Sequence, residues 1–159
     1  MSVKVGDKAP DFTLFNQDAA NIGLSNYKGQ NVLLLFFPFA NTGVCTNEMC
    51  TIRDELSIYE DLDAKVLAIS VDSLFSLKMF EEKHQYSFPL LSDFNKEVGN
   101  SYGVIYDDFA GGKFGYKGVA KRSAFVIDRE GVVKYAEVLD NAGDEPNYNA
   151  IKKTLEDIK

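Results

Sequence analysis

Two cysteines, a threonine, a proline and an arginine carry the chemistry for which this chain can be read. Cys45 and Cys50 are its only cysteines, and four residues separate them. A thiol acts as a nucleophile through its thiolate, which needs a helix N-terminus, a cation or a base beside it. In the stretch Pro38-Phe-Ala-Asn-Thr42-Gly-Val-Cys45, Thr42 reads as a helix N-cap. Counting from it puts Cys45 at N3, where backbone N–H groups are unpaired and the macrodipole favours an anion. The other use of a helix cysteine is as a small core hydrophobe. Its place in the first turn favours the nucleophile.

The elements that must hold these residues can be read from the flanking sequence. Val32 to Phe37 is an unbroken apolar run, which reads as a strand at 31–37 buried on both faces. Pro38 stops it, since proline fixes φ and cannot donate to a ladder. A helix then spans 42–62, with the apolar stripe Cys45, Met49, Ile52, Leu56 and Tyr59 aimed at the protein body. Cys50 falls off that stripe, beside Thr46 and Ser57, so core packing explains it poorly. Residues five apart in one helix lie about 7.5 Å apart along the axis and about 140° around it. A Cys45–Cys50 disulfide therefore requires the first turns to unwind.

Two cations compete to face Cys45. Arg122 opens an alternating strand and can point to the loop end of a sheet, or simply to solvent. Its guanidinium keeps its charge and offers a fork of donors. Arg53, on the helix itself, sits about 80° around and two turns from Cys45, too far for contact. Glu48, in the first turns, either complements the helix dipole at the surface or orients an arginine from a second layer. His84, the single histidine, follows a charged helix end and reads as solvent-exposed, without a role.

Pro38-x-x-x-Thr42-x-x-Cys45 resembles the active-site signature of the peroxiredoxins, thiol peroxidases on a thioredoxin-like fold. The resemblance runs along nearly the whole chain. It includes Gly6-Asp-Lys-Ala-Pro10-Asp-Phe12, Tyr27-Lys-Gly29, Phe88-Pro-Leu-Leu-Ser-Asp93 and Arg122-Ser-Ala-Phe-Val-Ile-Asp128 in order. It implies that Thr42 and the Cys45 N–H bind a hydroperoxide, that Arg122 holds the thiolate and the distal oxygen, and that Pro38 keeps water out. The Cys45/Cys50 spacing matches the Q-type members (the bacterioferritin comigratory group), in which Cys50 would resolve the oxidised Cys45. Gly43-Val-Cys45, the Phe-Pro-Leu-Leu-Ser-Asp-Phe run and the Arg122 strand look more like the one-cysteine alkyl hydroperoxidase E type, resolved by an external thiol. Hydrogen peroxide and organic hydroperoxides are the implied substrates, and Phe37, Phe39 and Phe125 suit an apolar tail. Thioredoxin, a glutaredoxin-like protein or a small thiol is the implied reductant, with no metal or other cofactor.

Composition bounds the rest. At 159 residues, 45% of them hydrophobic with 12 Phe and 8 Tyr, the chain reads as one globular domain over 1–159. A net charge of −7 argues against nucleic acid and anionic membranes as partners. No secretory h-region or membrane-length apolar run is present, which suggests the cytoplasm, where a cysteine pair is more often catalytic than structural. A monomer or a homodimer is expected.

Elsewhere a hairpin is expected over 11–15 and 21–24, a buried strand over 65–71, a helix over 74–86 and a short strand over 88–91. A helix over 95–102 closed by Gly103, a hairpin of 121–127 with 132–139, and a helix over 147–158 follow. Residues 105–121, with four glycines, read as loop with some hairpin. This order specifies an α/β thioredoxin-like sandwich, a mixed central sheet with helices on both faces. A thioredoxin-type disulfide reductase would need Cys-x-x-Cys, which is absent. A redox sensor or interaction module on the same fold differs in consuming peroxide only stoichiometrically.

Overall fold

The computed structural model describes residues 2–159. An edge hairpin of β1 (Thr13–Asn16) and β2 (Asn21–Gly23) precedes the central strand β3 (Asn31–Phe36). Two helices, α1 (Gly43–Asp54) and α2 (Leu56–Asp61), lead into β4 (Ala64–Ser70). Then come α3 (Leu74–His84), β5 (Leu90–Ser92) and α4 (Glu97–Tyr102), which Gly103 closes at φ 70°. The two-residue strands β6 (Ile105–Tyr106) and β7 (Val119–Ala120) pair separately. β8 (Ser123–Ile127), β9 (Val133–Val138) and α5 (Tyr148–Ile158) follow.

Seven strands make one mixed sheet in the order β2-β1-β5-β4-β3-β8-β9. β3, β4 and β5 run parallel, and β8 lies antiparallel to β3, with Leu35 opposite Ala124 and Phe36 opposite Ser123. All six residues of β3 are buried, as a strand covered on both faces requires. The pleat then sorts them. Leu33 and Leu35 face a core built with Met49, Ile52, Tyr59, Leu77, Phe80 and Leu155 from α1, α2, α3 and α5. Val32, Leu34 and Phe36 face a second core with Phe12, Val98 and Tyr102. Helices thus cover both faces, and truncating Leu33 or Leu35 to alanine costs about 2–5 kcal/mol.

One expected element is divided. The helix read as 42–62 breaks at Glu55, whose φ −104° and ψ 10° leave the helical region. No glycine or proline marks the place. At the break Lys152 of α5 pairs with the Glu55 carboxylate, and the chain re-enters a helix that turns Tyr59 into the core. In 105–121, β6 and β7 form a short ribbon and the intervening residues turn through the left-handed region at Ala110, Gly111, Gly112, Gly115 and Gly118. Among the described residues, no helix is long and apolar enough to cross a membrane.

Candidate active site

Sheet topology delivers the cysteine loop to the carboxyl end of β3, the edge at which parallel sheets place their sites. The Phe37 N–H gives β3 its last backbone bond, to Ile69 O at 2.9 Å. Pro38, buried and without an N–H, ends the ladder there. The following turn is anchored from β4: Asp72 Oδ2 accepts from the Ala40 N–H and from Ser70 Oγ, both at 2.7 Å. Asn41 then passes through the left-handed region at φ 66°, which asparagine tolerates better than most residues.

Thr42 occupies the N-cap position in an extended conformation and its carbonyl accepts from the Thr46 N–H. Its hydroxyl does not cap the helix; it donates to Phe39 O at 3.0 Å. Cys45, in the first turn of α1, is buried completely. Arg122, just before β8 and only 1% exposed, reaches across the sheet edge and donates Nη2 to Cys45 Sγ at 3.2 Å. Its Nη1 donates to Glu48 Oε1 at 2.7 Å, while Nε and Nη2 both donate to Ala142 O. All three guanidinium nitrogens are therefore directed, and the fork cannot swing away from the sulfur.

The electrostatics follow from burial. Desolvation opposes the charge on Arg122, but Glu48 and Cys45 together more than offset it, so its pKa is raised. Glu48 is pushed up to about 7, chiefly by burial, against the pull of Arg122, with Glu145 and Glu137 adding repulsion. Only one of its oxygens is paired; Oε2 has no hydrogen-bond partner.

Cys50 sits elsewhere than its sequence position implied. It packs against the core cluster beside α3, with Sγ 3.6 Å from Tyr86 Oη and 3.9 Å from His84 Nδ1. The helical wheel registers only the stripe of its own helix, whereas these rings arrive from α3 and the loop after it. His84 is accordingly half-buried, not solvent-exposed. Both cysteines are free thiols. Arg53 lies away from Cys45 and donates to His84 O at 2.7 Å. Phe37 and Phe125 belong to the two cores and do not line an entrance, whereas Phe39 is half-exposed and edge-on to Phe109 and Tyr116. Sequence reading assigned nothing to Asp72, Tyr86 or Ala142, all brought in by non-local contacts. Among the described residues, no group of three or more His, Cys, Asp or Glu side chains is placed to hold a metal ion.

A buried cysteine at a helix start, facing an arginine that lies just before the neighbouring antiparallel strand of a thioredoxin-like sheet, is the arrangement that the peroxiredoxin resemblance implies. Solved structures agree: the peroxidoxin BcpB of Mycobacterium tuberculosis superposes with TM-score 0.85 at 30% identity over 98% of both chains. A peroxiredoxin-like protein from Aquifex aeolicus gives 0.88 at 26% identity, over 100% of this chain and 90% of that one. Alkyl hydroperoxide reductase E of M. tuberculosis is 40% identical over 139 residues, 86% of each chain. A chloroplastic 2-cysteine peroxiredoxin of Chattonella marina is 35% identical, over 100% of this chain and 82% of its own length. The sequence model of the AhpC/TSA family matches residues 5–136, and the chain belongs to that family of thiol-dependent peroxidases.

Proposed function

We propose that Cys45 is the peroxidatic residue of this peroxidase, reducing hydrogen peroxide and organic hydroperoxides. The observation that carries the assignment is the 3.2 Å contact between Arg122 Nη2 and Cys45 Sγ, both out of water. A fixed, desolvated guanidinium stabilises a thiolate far more than an exposed one would. The thiolate attacks the terminal oxygen of ROOH. An S–O bond forms, the O–O bond breaks, and the departing alkoxide takes a proton to leave as ROH.

Each neighbour has a part derived from its bonding. Because the Thr42 hydroxyl proton is committed to Phe39 O, its oxygen lone pairs can accept from the peroxide O–H. Arg122 and the Cys45 N–H at the helix start meet the charge developing on the leaving oxygen, the logic of an oxyanion hole. Pro38, buried at the end of β3, serves to keep the site dry, and Glu48 sets the guanidinium plane. Cys45 is buried completely, which keeps the thiolate out of bulk water.

Cys50 then resolves the sulfenic acid as an intramolecular disulfide, after the first turn of α1 unwinds. Thioredoxin, a glutaredoxin-like protein or a small thiol reduces it. Two free thiols suit a reducing cytoplasm, and the chain works as a monomer or homodimer. Intact mass after one equivalent of peroxide tests the cycle. Loss of two hydrogens is the expected result, and Cys45→Ser abolishes turnover. A gain of oxygen alone assigns resolution to an external thiol.

A further inference from the structure

The chain's one histidine stands against the second sulfur. His84 Nδ1 and Tyr86 Oη both face Cys50 Sγ, at 3.9 and 3.6 Å. The two rings pack together. They stack on each other with centroids 5.5 Å apart and 26° between planes, and Phe80 meets both edge-on at 5.3 and 4.9 Å. Arg53, on the same helix as Cys50, fixes the backbone by donating Nη1 to the His84 carbonyl.

The groups facing His84 are Cys50 and Arg53 from α1, Tyr86 from the loop after it and Lys83 from its own helix. Burial, then Lys83 and Arg53, hold the imidazole pKa below its usual value, so near neutral pH it is uncharged and has a lone pair free. Burial raises the Tyr86 hydroxyl's pKa, which keeps it a donor. A base, a donor and a nearby cation are what a thiol needs to become a nucleophile.

The two sulfurs also differ in how firmly their turns are held. The first turn of α1 has no side-chain cap, because the Thr42 hydroxyl is spent on Phe39 O. Cys50, in the next turns, packs against the rings of His84 and Tyr86, from α3 and the loop after it. Unwinding therefore moves Cys45 toward a Cys50 that keeps its partners.

We propose that His84 is the general base that deprotonates Cys50 for attack on oxidised Cys45, with Tyr86 donating to the thiolate so formed. The proposal rests on the resolving role given to Cys50 above. His84 Nδ1 takes the thiol proton, and Cys50 Sγ attacks Sγ of the Cys45 sulfenic acid. The S–S bond forms as the S–O bond breaks, and the hydroxide leaves as water with the imidazolium proton. The Cys50 sulfur is oxidised, the sulfenyl sulfur is reduced, and no further reagent is needed.

Two measurements test it. In a Cys45→Ser background, iodoacetamide reacts with Cys50 alone; adding His84→Gln slows that reaction about tenfold at pH 7 and Tyr86→Phe a few-fold. In the two-cysteine chain, quenched-flow mass analysis shows disulfide formation slowed by the same factor in His84→Gln. Its pH profile, flat across neutral pH with the histidine present, instead climbs with pH as direct ionisation of the thiol becomes the only route. Tyr86→Phe keeps the ring stack, so it remains informative should His84→Gln loosen the fold. Alkylation indifferent to both substitutions overturns the proposal even where the disulfide forms. So does a slower disulfide step with unchanged alkylation, which marks a packing effect. A wild-type chain that stops at the sulfenic acid removes the resolving step itself. It is recognised because alkylation would still depend on His84.

Discussion

The guanidinium of Arg122 and the carboxylate of Glu48 meet at 2.7 Å with side-chain exposures of 2% and 0%. A buried pair of this kind costs more in desolvation than an exposed one, and here a single carboxylate oxygen is satisfied. Its value is directional: it holds the second guanidinium nitrogen on Cys45 Sγ.

That arrangement predicts a pH dependence of stability. Glu48 in the folded chain titrates near 7, above its ordinary 4.5. Between those values the folded state keeps a proton that the unfolded state releases, so stability falls as pH rises through this window, by a few kcal/mol at most. Glu48→Gln keeps an acceptor for Arg122 but has no proton to lose. Thermal unfolding from pH 4.5 to 7.5 should show a shallower decline for the variant, which at pH 7.5 is at least as stable as the parent.

Replacing the arginine tests the fork. Arg122→Lys keeps a charge, yet cannot reach Glu48, Ala142 and Cys45 together. Stopped-flow measurement of Cys45 oxidation should show kcat/KM for peroxide lowered by about 10²–10³, the usual loss on removing one donor to a developing oxyanion. A loss under tenfold would mean that charge alone suffices.

Asp72 anchors the turn from below. Asp72→Ala leaves the Ala40 N–H and the Ser70 hydroxyl without their acceptor, each worth about 1–3 kcal/mol when buried. The expected result is a lower melting temperature together with about tenfold slower Cys45 oxidation, because Pro38 and Thr42 lose their placement. Ser70→Ala, which keeps the bond to Ala40, should lose less on both counts.

The opposite face supplies a control. Leu67 is fully buried in the core that contains Tyr102 and Phe125, away from Cys45. Leu67→Ala should cost about 2–5 kcal/mol in chemical denaturation, with the oxidation rate per folded molecule preserved. A matching fall in rate would show that the two cores are not independent.

What the sequence disclosed and what it concealed divide along the range of the interactions. β3 and β4 were readable because a doubly buried strand writes itself as a continuous apolar run, and the β8–β9 hairpin because Asp128-Arg-Glu-Gly131 encodes its turn. The meeting of Arg122 with Cys45 was expected through resemblance to a family, since 77 positions of chain separate them. Concealed were features created by one element lying on another. The helix breaks at Glu55, where Lys152 of α5 pairs with it, Cys50 is covered by rings from α3 and the loop after it, and His84 is drawn in by the same contact. None of these leaves a periodicity, a cap or a turn signal at its own position.

The interruption at Glu55 has a mechanical corollary. A continuous rod from 43 to 61 would carry any rearrangement of its leading end through to β4 and the sheet. Broken there, α1 is a segment of 12 residues whose refitting ends at the joint. In the cycle proposed above, reshaping of the reactive end would stop at that joint and leave the seven-stranded floor in place, keeping the work of each cycle local to the sulfur that needs it.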